Sequence, residues 1–172
     1  HVVLPSSCVP TFNERNGNAT LAEAVARVEA ILTTAGATPA TVTISVCFGC
    51  PFEGHVDSGV VAELAGRFAA RAEVVLADTI GVATPRAVRA LVARTGAAGF
   101  HGHNTRNTGY ANCLAALHAR AQLPAASVGG LARCPSAPHA TAASAPADTA
   151  SLRRGRGVAR GQPAAPHPPA PL

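Results

Sequence analysis

The chain has 172 residues, 48% of them hydrophobic, which is enough for one globular domain with a substantial apolar core and short of two. Aromatic residues make up 3%, with no Trp and one Tyr, which argues against a nucleic-acid surface built on stacked rings. The net charge of +5 is unevenly placed: residues 1 to 134 hold ten Arg against eight acids, and residues 135 to 172 hold four Arg against Asp148.

All 14 basic residues are Arg, and Met is absent even at position 1, so the chain reads as a piece of something longer, encoded by a GC-rich gene. No apolar run approaches the ~20 residues that span a bilayer, and no pattern of basic, apolar and small residues marks a signal peptide. The expectation is a cytoplasmic protein with neither membrane nor nucleic-acid partners. Five Cys at irregular spacing read as reduced thiols rather than a disulfide framework.

Residues 2 to 4 form a short apolar strand ending in the turn Pro5-Ser6-Ser7-Cys8, and a loop carries Phe12-Asn13-Glu14-Arg15-Asn16. Thr20 and Glu23 have capping-box spacing, and Leu21, Ala24, Val25, Val28, Ile31 and Leu32 follow at helical period up to Gly36. Residues 41 to 46 are rich in β-branched residues and form a strand running into Cys47-Phe48-Gly49-Cys50-Pro51-Phe52-Glu53-Gly54. Asp57 caps a second helix with the stripe Val60, Val61, Leu64, Ala65 and Phe68. Residues 73 to 77 form the next strand, followed by Asp78-Thr79-Ile80-Gly81. Thr84 as cap and Pro85 at the first helical position open a third helix ending near Gly96. Residues 98 to 103 are a strand, 108 to 119 a helix and 125 to 128 a final strand that enters Gly129-Gly130-Leu131-Ala132-Arg133-Cys134-Pro135.

Strict alternation of strand and helix with short connections predicts a parallel sheet with right-handed crossovers. An eight-stranded β/α barrel and an open doubly wound sheet both satisfy it. Ser6, Cys8, Cys50, Glu53, Asp78, His101, His103 and Cys134 fall at or just past strand C-termini. A barrel gathers its chemistry along every strand end, whereas an open sheet uses one switch point. No Gly-x-Gly-x-x-Gly and no phosphate-binding loop with Lys occurs. At about 250 residues per complete barrel, residues 1 to 134 supply four units and the start of a fifth, with roughly the first three strands missing. The expected fold is therefore α/β, a partial (β/α)8 barrel over 1–134. Residues 135–172 contain eight of the 14 Pro and no hydrophobic period, and they read as a disordered or out-of-frame tail.

His101-Gly102-His103 places two imidazoles two residues apart, hence on one face of a strand. They can serve as two ligands to a divalent metal or form an inert, hydrogen-bonded pair. Asp78 can cap its own turn or, at a barrel-strand end, bind substrate or move a proton. Cys134, after a glycine-rich loop, is either a small buried hydrophobe or a general acid or base. Cys47 and Cys50 have the spacing of a redox pair or half a zinc site, but no second Cys pair accompanies them.

Four motifs taken together resemble the hydroxymethylglutaryl-CoA lyase family in order and approximate spacing. They are Cys47-Phe48-Gly49-Cys50-Pro51-Phe52-Glu53-Gly54, Ala77-Asp78-Thr79-Ile80-Gly81-Val82-Ala83-Thr84-Pro85, His101-Gly102-His103-Asn104-Thr105-Arg106 and Ser127-Val128-Gly129-Gly130-Leu131-Ala132-Arg133-Cys134-Pro135. The resemblance covers residues 2 to about 141. It implies a barrel lyase that cleaves 3-hydroxy-3-methylglutaryl-CoA to acetyl-CoA and acetoacetate with magnesium or manganese. It further implies that His101 and His103 are metal ligands, Asp78 the motif aspartate near the metal and Cys134 the catalytic loop cysteine. The partners it implies are an acyl-CoA thioester substrate and a second copy of the chain in a homo-oligomer.

The chain departs from the family pattern at several places. The family's first-strand Asp and Arg lie upstream of His1, and Ala143 stands where the family has its last metal-ligating Asn. Ala132-Arg133 replaces Gly-Gly, Ser136 replaces an aromatic, and Asn104 replaces the commoner Asp. Two protein ligands of an expected four remain, so the chain as written is expected to be an inactive fragment. The open alternatives are a related aldolase or acyl-CoA condensing enzyme, and a non-catalytic interaction protein.

Overall fold

Strand β1 (Val2–Ser7) runs straight through Pro5 and is followed by helix α1 (Pro10–Gly17) in the computed structural model, which describes residues 1–121 and the backbone of 123–125. The strand is three residues longer than expected, and the expected loop at 12–16 is helical. Pro5 is tolerated because β1 lies at one edge of the sheet. Helix α1 starts on Pro10, whose missing N–H costs nothing at the first helical position. It is held by burial of Phe12 and by Asn13 Nδ2 donating to Ser7 O at 2.8 Å. No apolar stripe precedes that packing, so periodicity could not announce this helix.

Helix α2 (Leu21–Ala35) has the expected capping box, with Glu23 N donating to Thr20 Oγ1 at 3.3 Å and Thr20 N to Glu23 Oε2 at 2.8 Å. Then come β2 (Ala40–Ser45), α3 (Ser58–Ala69) capped by Asp57, β3 (Glu73–Asp78), α4 (Pro85–Thr95) capped by Thr84, β4 (Gly99–Gly102), α5 (Gly109–His118) and β5 (Leu123–Ala125). The last strand begins two residues earlier than the sequence suggests, pairing Gly99 with Leu123 and His101 with Ala125.

All pairings are parallel and the strand order is β1-β2-β3-β4-β5. That order decides between the two architectures. A doubly wound sheet reverses its strand order at a switch point and so covers both faces. A sheet that advances one strand at a time by right-handed crossovers carries all its helices on one face, as a barrel wall does.

The register identifies the two faces. Leu4, Val42 and Val74 are aligned across the sheet, as are Ser6, Ile44, Leu76 and Phe100, and all are buried. This is the helix-covered face, where Val61, Leu64, Ala65 and Phe68 of α3 and Val88, Leu91 and Val92 of α4 complete the core. The opposite face carries Val3, Thr43, Ser45, Ala77 and His101, with Val3 64% exposed. It corresponds to the inner wall of a barrel. On the outside, Arg67 Nε meets Glu29 Oε1 at 2.6 Å and ties α3 to α2. No described helix is long and apolar enough to cross a membrane.

Candidate active site

The C-terminal strand edge gathers β1, β2, β3 and β4 around the turn Asp78–Ala83. Asp78 is the last residue of β3, His101 lies within β4 and His103 immediately follows it. The two imidazoles do meet: their ring centroids are 5.0 Å apart at an interplanar angle of 79°. The two rings thus lie together at the strand edge, and as neutral imidazoles they would be the residues to hold a divalent cation there. His101 is half-buried, whereas His103 is 4% exposed.

His103 Nδ1 lies 2.9 Å from the backbone oxygen of Asp78. A carbonyl oxygen can only accept, so Nδ1 carries the hydrogen and a neutral His103 presents the lone pair of Nε2. A backbone carbonyl that fixes a ring in this way is the usual orienting partner of a metal-ligating histidine.

Of the two roles its position suggests, Asp78 takes the capping of its own turn, through its carboxylate. Its Cα partner on β4 is Gly102, while His101 is paired with Ala77, so the Asp78 side chain starts on the helix-covered face. Its carboxylate accepts from Val82 N at 2.9 Å and Ala83 N at 3.1 Å, closing the turn. Burial pushes its pKa above the ordinary carboxylate value of 3.8, outweighing those N–H donors and the pull of a charged His103. The structure therefore brings out the turn-capping role, and it is the Asp78 carbonyl that meets a histidine.

The turn is locked from several sides. Gly81 has φ +69°, and a Cβ there would stand 2.7 Å from Thr105 Cβ, so this turn and the segment after His103 pack backbone to side chain. Val46 N donates to Thr79 Oγ1 at 2.8 Å, and Cys47 N donates to Ala77 O at 3.1 Å. Asn112, fully buried on α5, donates through Nδ2 to Ala83 O at 3.0 Å, and its Oδ1 has no partner among the described residues. Asn104 Oδ1 accepts from Gly109 N at 2.9 Å and starts α5. The sequence singles out neither Thr79 nor Asn112, and it marks Asn104 only as a departure from the family's commoner Asp. Thr79 and Asn104 stand inside the quoted motifs, whereas Asn112 gives no signal in a helix otherwise rich in Ala and Leu.

The Cys47–Gly54 loop packs against α1. Cys50 and Gly54 exchange backbone hydrogen bonds of 2.8 and 2.9 Å, Glu53 Oε1 accepts from Thr11 N at 3.0 Å, and Phe52 packs between Phe12 and the Arg15 guanidinium. Cys8, Cys47, Cys50 and Cys113 are buried free thiols. Burial pushes Cys8 up to about 11 and Cys47 higher still, with the Cys47 thiol donating to Ile44 O at 2.9 Å. Neither is a ready nucleophile.

Cys134, Ala143 and the whole of 135–172 lie outside the described residues. Among those described, no third His, Cys, Asp or Glu joins a potential metal cluster. The donor set present is thus two imidazoles, one with its tautomer fixed, which suits a divalent cation whose remaining ligands come from elsewhere. A cleft of about 730 Å³ between α2 and α3 is lined by Cys8, Val25, Leu64 and Arg67 among others, and neither histidine lines it.

The family model described as HMGL-like matches residues 1–134. The chain belongs to the HMGL-like family. It is 40% identical over 129 residues to the (R)-citramalyl-CoA lyase of Chloroflexus aurantiacus, covering 70% of this chain and 40% of that protein. It is 31% identical over 170 residues to the human mitochondrial hydroxymethylglutaryl-CoA lyase, covering 93% of this chain and 52% of the enzyme. The solved HMG-CoA lyase from Acinetobacter baumannii, in complex with coenzyme A and 3-methylmalate, superposes with a TM-score of 0.82 at 31% identity over 91% of this chain and 54% of that one. The HMGL-like chain thus spans about half the length of the relatives it matches. These relatives are carbon–carbon lyases by name, and a partial barrel is what their fold leads one to expect of such a span.

Proposed function

We propose that this chain forms the second half of the barrel of an acyl-CoA carbon–carbon lyase, with His101 and His103 as two ligands of a divalent cation. The observation that carries the reading is the imidazole pair at the strand edge, with Nδ1 of His103 held on the Asp78 carbonyl at 2.9 Å and Nε2 left as donor. The family resemblance and the CoA-named relatives supply the substrate class.

In the family reaction 3-hydroxy-3-methylglutaryl-CoA is cleaved to acetyl-CoA and acetoacetate. A bound divalent cation, magnesium or manganese, supplies polarisation of the substrate oxygens. The part of this chain is to bind and orient. His101 and His103 hold the cation, and Asp78 holds the turn that orients His103. Cys134, which follows Gly129-Gly130 in the sequence, handles a proton at the acetyl-CoA end of the cleaved bond. The cytoplasm is the proposed location and a homo-oligomer the proposed assembly.

Identity to the citramalyl-CoA lyase, at 40%, exceeds that to the hydroxymethylglutaryl-CoA lyase and favours a second substrate reading, citramalyl-CoA. Both substrates are 3-hydroxy acyl thioesters cleaved at the bond beside the hydroxyl carbon, so the proposed site serves either. With two donors among the described residues and, among the described strands, sheet edges at β1 and β5, the isolated 172-residue chain is proposed to be inactive.

The test is an assay of the purified chain with each thioester and with magnesium or manganese, beside a full-length relative. Acetyl-CoA release at a rate comparable to the relative would overturn the inactive-fragment reading. Absence of any manganese binding that depends on His101 and His103 would overturn the metal reading.

A further inference from the structure

Val46, the residue after β2, is fully buried and has φ +54°, a left-handed conformation that a β-branched side chain rarely adopts. Its N–H points across to β3, where Thr79 Oγ1 accepts it at 2.8 Å. Without that hydroxyl the N–H would be an unpaired buried donor. Thr79 is itself 6% exposed, and its residue neighbour Asp78 supplies the carbonyl that accepts both Gly81 N at 3.2 Å and His103 Nδ1 at 2.9 Å. The peptide joining Asp78 to Thr79 is therefore gripped at one end by β2 and at the other by the ring of His103.

We propose that Thr79 is a positioning residue for His103. By anchoring on the Val46 N–H, its hydroxyl fixes the Asp78–Thr79 peptide so that the Asp78 carbonyl selects the Nδ1–H tautomer and leaves Nε2 facing the site. The clamp links the end of β2 to the strand edge that carries the two histidines, through the Asp78–Thr79 peptide. It rests on the metal-site reading only for its purpose. The selection of the tautomer is a property of the protein without metal.

The experiment uses the 172-residue protein, ¹⁵N-labelled and metal-free, at a pH where imidazoles are neutral. Long-range ¹H–¹⁵N correlation spectra report the tautomer of each ring, and loss of one signal set in His103→Gln assigns His103. Thr79→Ser and Thr79→Ala both remove the γ-methyl and differ only in the hydroxyl. Thr79→Ser is expected to keep the Nδ1–H form and slow exchange of the Val46 amide. Thr79→Ala is expected to lose both, with a change in tautomer ratio of roughly five-fold, which is about 1 kcal/mol, the net worth of one hydrogen bond. Thr79→Val, which keeps the side-chain volume, should behave as Thr79→Ala and stands in if that variant fails to fold. An unchanged His103 tautomer in the hydroxyl-less variants, or an equal change in Thr79→Ser, overturns the proposal. Manganese broadening of the His101 and His103 signals is read separately, so failure of the metal reading is distinguishable from failure of the clamp.

Discussion

The backbone oxygen of Asp78 is hydrogen-bonded to Nδ1 of His103 at 2.9 Å, while the carboxylate of the same residue turns away to the N–H groups of Val82 and Ala83. One residue thus sets a histidine with its main chain and closes a turn with its side chain. If His101 and His103 together hold a metal ion at this edge, His101→Ala or His103→Ala should weaken manganese binding by roughly ten-fold or more, since even loss of an orienting partner costs 10–100-fold. Electron paramagnetic resonance of free manganese measures this, and binding as tight as the wild type in both variants would refute the pairing.

Asp78→Asn removes an acceptor from a buried turn and should destabilise the fold by about 1–3 kcal/mol at neutral pH. Its pH dependence has a definite sign. Burial raises the folded pKa above 3.8, so the folded state holds this proton more tightly than the unfolded chain. Its contribution to stability is then full below pH 3.8 and declines as the pH rises through the folded pKa. Urea denaturation of both proteins across that range should show the wild type losing stability relative to Asp78→Asn with rising pH. The opposite slope would contradict the burial argument.

Gly81→Ala should cost about 1–3 kcal/mol, because φ is +69° and the new methyl would stand 2.7 Å from Thr105 Cβ. Gly17→Ala is the control, since nothing lies within 4 Å of a Cβ there. Thermal melting should lower the midpoint for the first substitution and leave it near the original for the second.

Thr20→Ala removes the acceptor for Glu23 N and half of the capping box, at about 1 kcal/mol. The Glu23 carboxylate, held below its ordinary 4.5 by hydrogen bonds from the Thr20 backbone N–H and hydroxyl, adds stability above pH 4.5 that fades as the pH falls through its folded value. Comparing denaturation of the wild type and Thr20→Ala at pH 7 and below pH 4 should show the gap narrowing in acid.

Four of the five Cys are buried, and burial pushes the thiols of Cys8 and Cys47 upward. At pH 8 a disulfide reagent should label at most one thiol rapidly in the native protein and five in denaturant. Fast reaction of two or more native thiols would contradict the buried cluster.

Alternation of strand and helix, the caps at Thr20, Asp57 and Thr84, and the shared parity of His101 and His103 are local properties and could be read from the sequence. Helix α1 could not, because Phe12 and Asn13 become helical through packing on β1 rather than through an apolar period. The 99–102 strand was legible, yet the facing of Asp78 was not, since it depends on pairing with Gly102 of another strand.

By itself, then, the sequence determined the elements other than α1, their order and the family, because caps, periods and motif spacing act over a few residues. Only the tertiary structure decided that the strands run in a single progression with helices on one face, and that Asp78 serves His103 through its carbonyl. Both depend on register between strands about 24 to 38 residues apart, which hydrogen bonding across the sheet fixes and local spacing does not.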